Sequence, residues 1–142
     1  MEGLDWCLVL GTCLGAVREG DLIEYDFDID VALDKKHADE MDRIAKCLTS
    51  KGCSASVIPW TTKKGKTKFI QNYYMKVPGH IMLRNLGDKF ETRKVQGVDF
   101  PVPVNPEKYL EAVYGKWKVP LTVRQWNREK KRKKWDKNKW GV

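Results

Sequence analysis

Asp26, Asp28 and Asp30 recur at every second position of the segment 22–33, LIEYDFDIDVAL. Successive strand side chains point to opposite faces. A strand over 26–33 therefore carries all three carboxylates on one face and Phe27, Ile29 and Val31 on the other. Asp is depleted in strands, and like charges side by side on one face repel. A divalent cation held by hard oxygen ligands, Mg2+ or Mn2+, compensates such a face. On a strand, Asp28 and Asp30 have Cα atoms about 7 Å apart, so both side chains can converge on one site. The competing reading is a solvated, charged strand face. A calcium-binding EF-hand loop is excluded, because its glycine position holds Val31 and its closing glutamate position holds His37. Asp26 has three open roles: metal ligand, orienting group, or cap of the strand.

The next group of interest precedes the carboxylates. Gly11 and Thr12 lie between an apolar stretch and a short helical pattern that carries Arg18 and stops at Gly20. A glycine lets a ligand approach the backbone, and free N–H groups at a helix start favour an anion. The same pair also suits an ordinary strand-to-helix turn, with Thr12 as the cap. Arg18 has the guanidinium fork that matches phosphate or carboxylate, or it pairs with Asp26 or Glu19. Tyr25 reads as packing. His80 can ligate a metal or act as a base, or it is a structural histidine.

The stretch from Gly11 to Asp30 resembles the signature of the LicD family, which includes bacterial phosphocholine transferases and fukutin-related proteins. FPVPVNPEKYLEAVYGKW, residues 100–117, resembles a second element of that family. The resemblance implies a nucleotidyltransferase-type fold. It implies a transferase that moves a phosphoryl-linked group from a CDP-activated donor to a glycan or similar hydroxyl acceptor. Asp28 and Asp30 then hold the metal that carries the donor diphosphate. Such folds usually take a third carboxylate from a neighbouring strand. Residues 72–86 contain no acid, which leaves Asp88, Glu91 and Asp99 if the register differs. Asn72, Gln71 and Arg84 have suitable chemistry for a base edge. The alternatives are transfer of a nucleoside monophosphate onto a protein, nucleic acid or small molecule, and a binding module without turnover.

Length and composition fit one domain: 142 residues, 42% of them hydrophobic. No apolar run reaches membrane-spanning length, and the acidic N-terminus does not read as a signal peptide. Of the net charge of +8, residues 123–142 carry +7. The expected organisation is a catalytic domain over 1–122 and a basic, tryptophan-containing tail over 123–142. That tail can grip nucleic acid through phosphates and stacking, rest on an anionic membrane, or remain a solvated charge run. Cys7, Cys13, Cys47 and Cys53 form no CxxC pair and read as buried thiols. A cytoplasmic protein, free or peripheral to a membrane, fits this pattern.

The elements that must position these groups follow from periodicity and turn signals. Strands are expected over 4–10, 26–33, 54–60, 68–77, 80–86 and 89–95. Asp34 is placed to cap an amphipathic helix over 35–50. Asn105-Pro106 starts a helix with Tyr109, Leu110 and Val113 on its apolar face, and Gly115 ends it. The fold class is α/β (α+β): a mixed sheet flanked by helices, with antiparallel pairs toward the C-terminal half.

Overall fold

The structure, a computed structural model, describes residues 3–26, 28–52, 55–62, 65–72 and 79–128; for 55–62, 65–72, 79 and 80 it describes the backbone alone. The elements in chain order are β1 (Trp6–Leu8), α1 (Leu10–Arg18), β2 (Ile29–Asp34), α2 (Met41–Ser50), β3 (Ala55–Thr62), β4 (Gly65–Asn72), β5 (Gly79–Arg84), β6 (Glu91–Val95), β7 (Val98–Val102) and α3 (Pro106–Tyr114). The main sheet has the order β1-β2-β5-β4-β3. β2 and β5 run parallel, and the other neighbours are antiparallel. The fold is the expected mixed α+β architecture.

Several boundaries differ from those expected, each for a local reason. β2 starts at Ile29, not at residue 26. The Asp26 N–H donates to the Ile23 carbonyl at 2.9 Å, so the chain turns there instead of pairing. The segment expected as one helix over 35–50 is a 3-10 helix (Lys35–Glu40) followed by α2. Residues 98–102, where no strand was expected, form β7. Gln96 and Gly97 both have positive φ, 50° and 79°, which matches the tight hairpin turn between β6 and β7. Pro59 is accommodated because β3 is an edge strand. Asn105 precedes α3 as expected, yet its side chain makes no capping bond; its φ is 52°, and its N–H donates to Glu91 Oε1 at 2.8 Å.

Apolar clusters hold the layers together. Leu33, Ile81 and Leu83 of the sheet pack on Met41 and Ile44 of α2. Leu8, Cys13, Leu14, Val102 and Leu110 join α1, α3 and the β6–β7 hairpin. Trp126 belongs to this second cluster at 3% exposure. Residues 123–128 are helical. Thr122 and Gln125 start that turn by exchanging bonds. The Thr122 N–H donates to Gln125 Oε1 at 2.9 Å, and the Gln125 N–H donates to Thr122 Oγ1 at 3.3 Å, a capping box. The Trp126 ring stacks on Tyr114 at 5.9 Å and meets Tyr25 edge-on at 6.1 Å. The packed part of the chain thus reaches Trp126, three residues past the start of the expected basic tail. The rest of that tail, 129–142, lies outside the described residues.

Cys7 and Cys13 are fully buried, and burial pushes both thiols up to about 12. Cys47 is exposed on α2, against expectation, and Cys53 lies outside the described residues. Among the described residues, no helix is long and apolar enough to cross a membrane.

Asp34 ties the end of β2 to two neighbours. Its Oδ1 accepts from the Lys36 N–H at 2.9 Å, and its Oδ2 accepts from Leu86 and Gly87 at 2.8 and 3.1 Å. The Lys36 bond, then those from Leu86 and Gly87, hold its carboxyl below the ordinary aspartate value despite partial desolvation. A lowered folded pKa gives stability that is present above the unfolded value, about 4, and lost as pH falls through the folded pKa. Asp34→Ala is expected to cost about 1–2 kcal/mol at pH 7. In urea titrations, that difference should shrink as the pH drops below about 4. Trp126→Ala is expected to cost about 3–5 kcal/mol, whereas Val119→Ala, 69% exposed, should change the same midpoint by about 0.5 kcal/mol or less.

Candidate active site

β1 ends one residue before α1, so the chain reverses sharply at Val9 and Leu10. Leu10 takes φ 52°, a conformation that costs a non-glycine residue about 1–3 kcal/mol. Its N–H donates to the Tyr109 hydroxyl at 3.0 Å, which ties the turn to α3. α1 then begins with Gly11 and Thr12 in its first turn. The N-cap position is Val9, with no side-chain cap, so Thr12 does not cap the helix as expected.

Thr12 serves the carboxylate segment instead. Its Oγ1 accepts the Asp30 N–H at 2.9 Å. The Asp30 carbonyl accepts the Val9 N–H at 3.1 Å. Both main-chain groups of Asp30 are thereby fixed by the strand-to-helix turn. Asp30 is 7% exposed and lies on the sheet face that it shares with Ala32. The expected alternation survives in Asp28 and Asp30, half-buried and buried, with Ile29 exposed between them. Asp28 stands just before the strand, so the pair sits at its entrance.

Asp26 is placed by two glycines on one side of α1. A Cβ built on Gly15 would lie 2.5 Å from the Asp21 carbonyl oxygen and 3.1 Å from the Ile23 nitrogen. Only glycine lets the 21–23 backbone approach the helix this closely. One turn earlier, a Cβ on Gly11 would lie 2.1 Å from Asp26 Oδ2. The Asp26 carboxylate therefore rests against the first turn of α1, where the helix dipole favours negative charge. Tyr114 stands near both acids. Burial first, then the charges of Tyr109, Asp30 and Asp26, push its hydroxyl well above the ordinary tyrosine value.

The other expected residues are distributed unevenly. β5 sets His80 at the register position beside Asp30, and Gln71 and Asn72 of β4 pair with His80 and Gly79. Their side chains lie outside the described part. Arg18 is at the far end of α1, about 10 Å of helix from Gly11. It bonds Glu19 Oε1 through Nε and Nη2 and the Trp117 carbonyl through Nη1, so the Glu19 pairing holds and the structure does not bring Arg18 to the carboxylates. The Tyr25 hydroxyl donates to the Leu121 carbonyl, and the ring packs on Trp126, a structural role.

The acids considered for a third carboxylate are placed elsewhere. Glu91 pairs with Arg93 and Asp99 with Lys94, both on the separate hairpin, and Asp88 is exposed. Among the described residues, no three His, Cys, Asp or Glu side chains are gathered into a group that could hold a metal ion. The donor chemistry of Asp28 and Asp30, hard oxygens two residues apart beside a pinned backbone, nonetheless fits a small divalent cation. Sequence reasoning missed the partnership of Thr12 with Asp30. Its available signal was a hydroxyl in the turn that meets the strand.

The contact between Gly11 and Asp26 is testable by a double-mutant cycle. Gly11→Ala is expected to cost about 1–3 kcal/mol through overpacking. In an Asp26→Ala background most of that cost should vanish, a coupling of about 1 kcal/mol or more in urea unfolding.

A search of curated proteins finds no significant match. The family described as LicD/FKTN/FKRP, nucleotidyltransferase domain, matches residues 3–100, a span that holds the Gly11-Thr12 turn, all three aspartates and the main sheet. The chain therefore belongs to the LicD family, a family of transferases.

Proposed function

We propose that the protein is a metal-dependent transferase. It moves a phosphoryl-linked group, phosphocholine or a polyol phosphate, from a CDP-activated donor to a hydroxyl of a glycan or similar acceptor. The observation that carries this reading is Asp30: a buried carboxylate, pinned at N–H and C=O by Thr12 and Val9, two residues after Asp28. Family membership supports the reaction class.

Asp28 and Asp30 are the residues that hold Mg2+ or Mn2+. A bound cation of this kind neutralises a diphosphate and stabilises the leaving group. The chain's own contribution is positioning. Thr12 and Val9 fix Asp30, so its carboxylate needs no reorganisation when charge develops. The first turn of α1 offers backbone N–H groups to donor phosphate oxygens, and Asp26 orients that turn. His80, at the register position beside Asp30, is the candidate base for the acceptor hydroxyl. The basic residues after Val123 supply electrostatic attraction to an anionic membrane surface that bears the acceptor, and nucleic acid is the competing polyanion.

The test is a thermal shift with Mn2+ and CDP. The parent is expected to gain several degrees at saturating ligand. Asp28→Asn and Asp30→Asn are expected to keep a cooperative unfolding transition and lose that gain. A full gain in both variants overturns the metal assignment. Equal gains with the adenine, guanine and uracil diphosphates overturn the CDP preference, and a clear adenine or uracil preference favours nucleotidyl transfer.

A further inference from the structure

The sheet face that carries Asp30 continues into a cavity of about 500 Å³. Cys7, Val9 and Ala32 form its floor, with Met82 and Arg84 of β5 beside them. Leu86, Phe90, Val104 and Tyr109 form much of its wall. The volume falls within the range of small-molecule sites, about 300–1,000 Å³. Its lining is mostly apolar and contains two cations, Arg84 and Lys89, with no acid among the described lining residues.

Arg84 is the unusual member. It is half-buried, and among the described residues its guanidinium bonds the Leu83 carbonyl at 2.9 Å and the Met82 sulfur at 3.5 Å. Neither partner is charged, and a thioether is a weak acceptor. Among the described residues no carboxylate pairs with Arg84, and it lines the cavity. Asp34, its register partner across β2 and β5, is committed to Lys36, Leu86 and Gly87. Every other arginine named above finds a carboxylate: Arg18 has Glu19 and Arg93 has Glu91 and Glu107. A guanidinium held in apolar surroundings without a counter-charge is costly, and burial lowers its proton affinity. An oxyanion with bidentate geometry relieves that cost.

We infer that this cavity binds a small organic anion, a phosphate or carboxylate on an apolar or aromatic body, through Arg84. Lys89 at the rim adds charge, and Phe90 and Tyr109 supply the walls that an aromatic or aliphatic body covers. The site differs from the carboxylate site in sign. Asp28 and Asp30 attract a cation, whereas this cavity attracts an anion directly. Its lining shares Val9 with the backbone frame of Asp30 and Leu10 and Tyr109 with the adjoining turn, so an occupant abuts the candidate active site.

Calorimetry without metal or nucleotide tests the inference, with phenyl phosphate, benzoate, inorganic phosphate and phenol as probes. Phenyl phosphate or benzoate is expected to bind, and whichever is tighter identifies the anionic group. Inorganic phosphate is expected to bind more weakly, because it leaves the apolar walls uncovered. Arg84→Met is expected to weaken binding about tenfold or more. Arg84→Lys, which retains the charge without the planar fork, should fall between, and it serves where the methionine variant does not fold. Asp30→Asn should bind the probes as the parent does, which separates this site from the proposed reaction. No binding of either anion to the parent, phenol binding as tightly as phenyl phosphate, or unchanged binding in both Arg84 variants overturns the inference.

Discussion

The arrangement of this site depends on how Asp30 is held at its main chain. The hydroxyl of Thr12 accepts its N–H, and its carbonyl accepts the N–H of Val9. Each bond is modest by itself, about 1 kcal/mol net. Their value is geometric. They lock the start of β2 to the turn between β1 and α1, so the helix start and the carboxylates move as one body. A buried carboxylate is tolerable only if its position is fixed relative to what compensates it. The strained φ of Leu10 belongs to the same device, because the Tyr109 hydroxyl receives the N–H that this turn exposes.

A second constraint is the close approach of segment 21–26 to α1. Gly15 admits the main chain of Asp21 and Ile23, and Gly11 admits the Asp26 carboxylate. These glycines lie one turn apart, so they present a shallow track rather than isolated gaps. Asp26 consequently belongs to the helix side of the site, while Asp28 and Asp30 belong to the sheet side.

Much of this was legible in the sequence, and the failures have identifiable causes. The Gly-Thr turn and the Asp28/Asp30 pair could be read because type and spacing together are uncommon. The mixed sheet followed from periodicity, including its antiparallel C-terminal half. The strand was drawn too long because alternation continued through Asp26, although the backbone there closes a turn onto Ile23. β7 was missed because Pro101 and Pro103 interrupt the apolar alternation, although a two-stranded ribbon tolerates a proline where no further strand pairs. Trp126 was obscured by the surrounding basic residues. Its local signal was the Thr122-x-x-Gln125 box, which starts a helical turn irrespective of charge. The bond between Thr12 and Asp30 spans 18 residues and depends on the strand-to-helix angle, which no local pattern encodes.

Charges of opposite sign stand at different points of one sheet face. Asp26 and Asp30 lie near the buried Tyr114 hydroxyl, which they help keep protonated. Arg84 lies four residues beyond the His80 register position, about 13 Å along β5. At that spacing the acidic and basic groups attract each other weakly. Had Arg84 stood two residues earlier, beside Ala32, it would have been close enough to pair with Asp30. The strand register keeps them apart, with the carboxylate toward one end of the sheet face and the guanidinium toward the other.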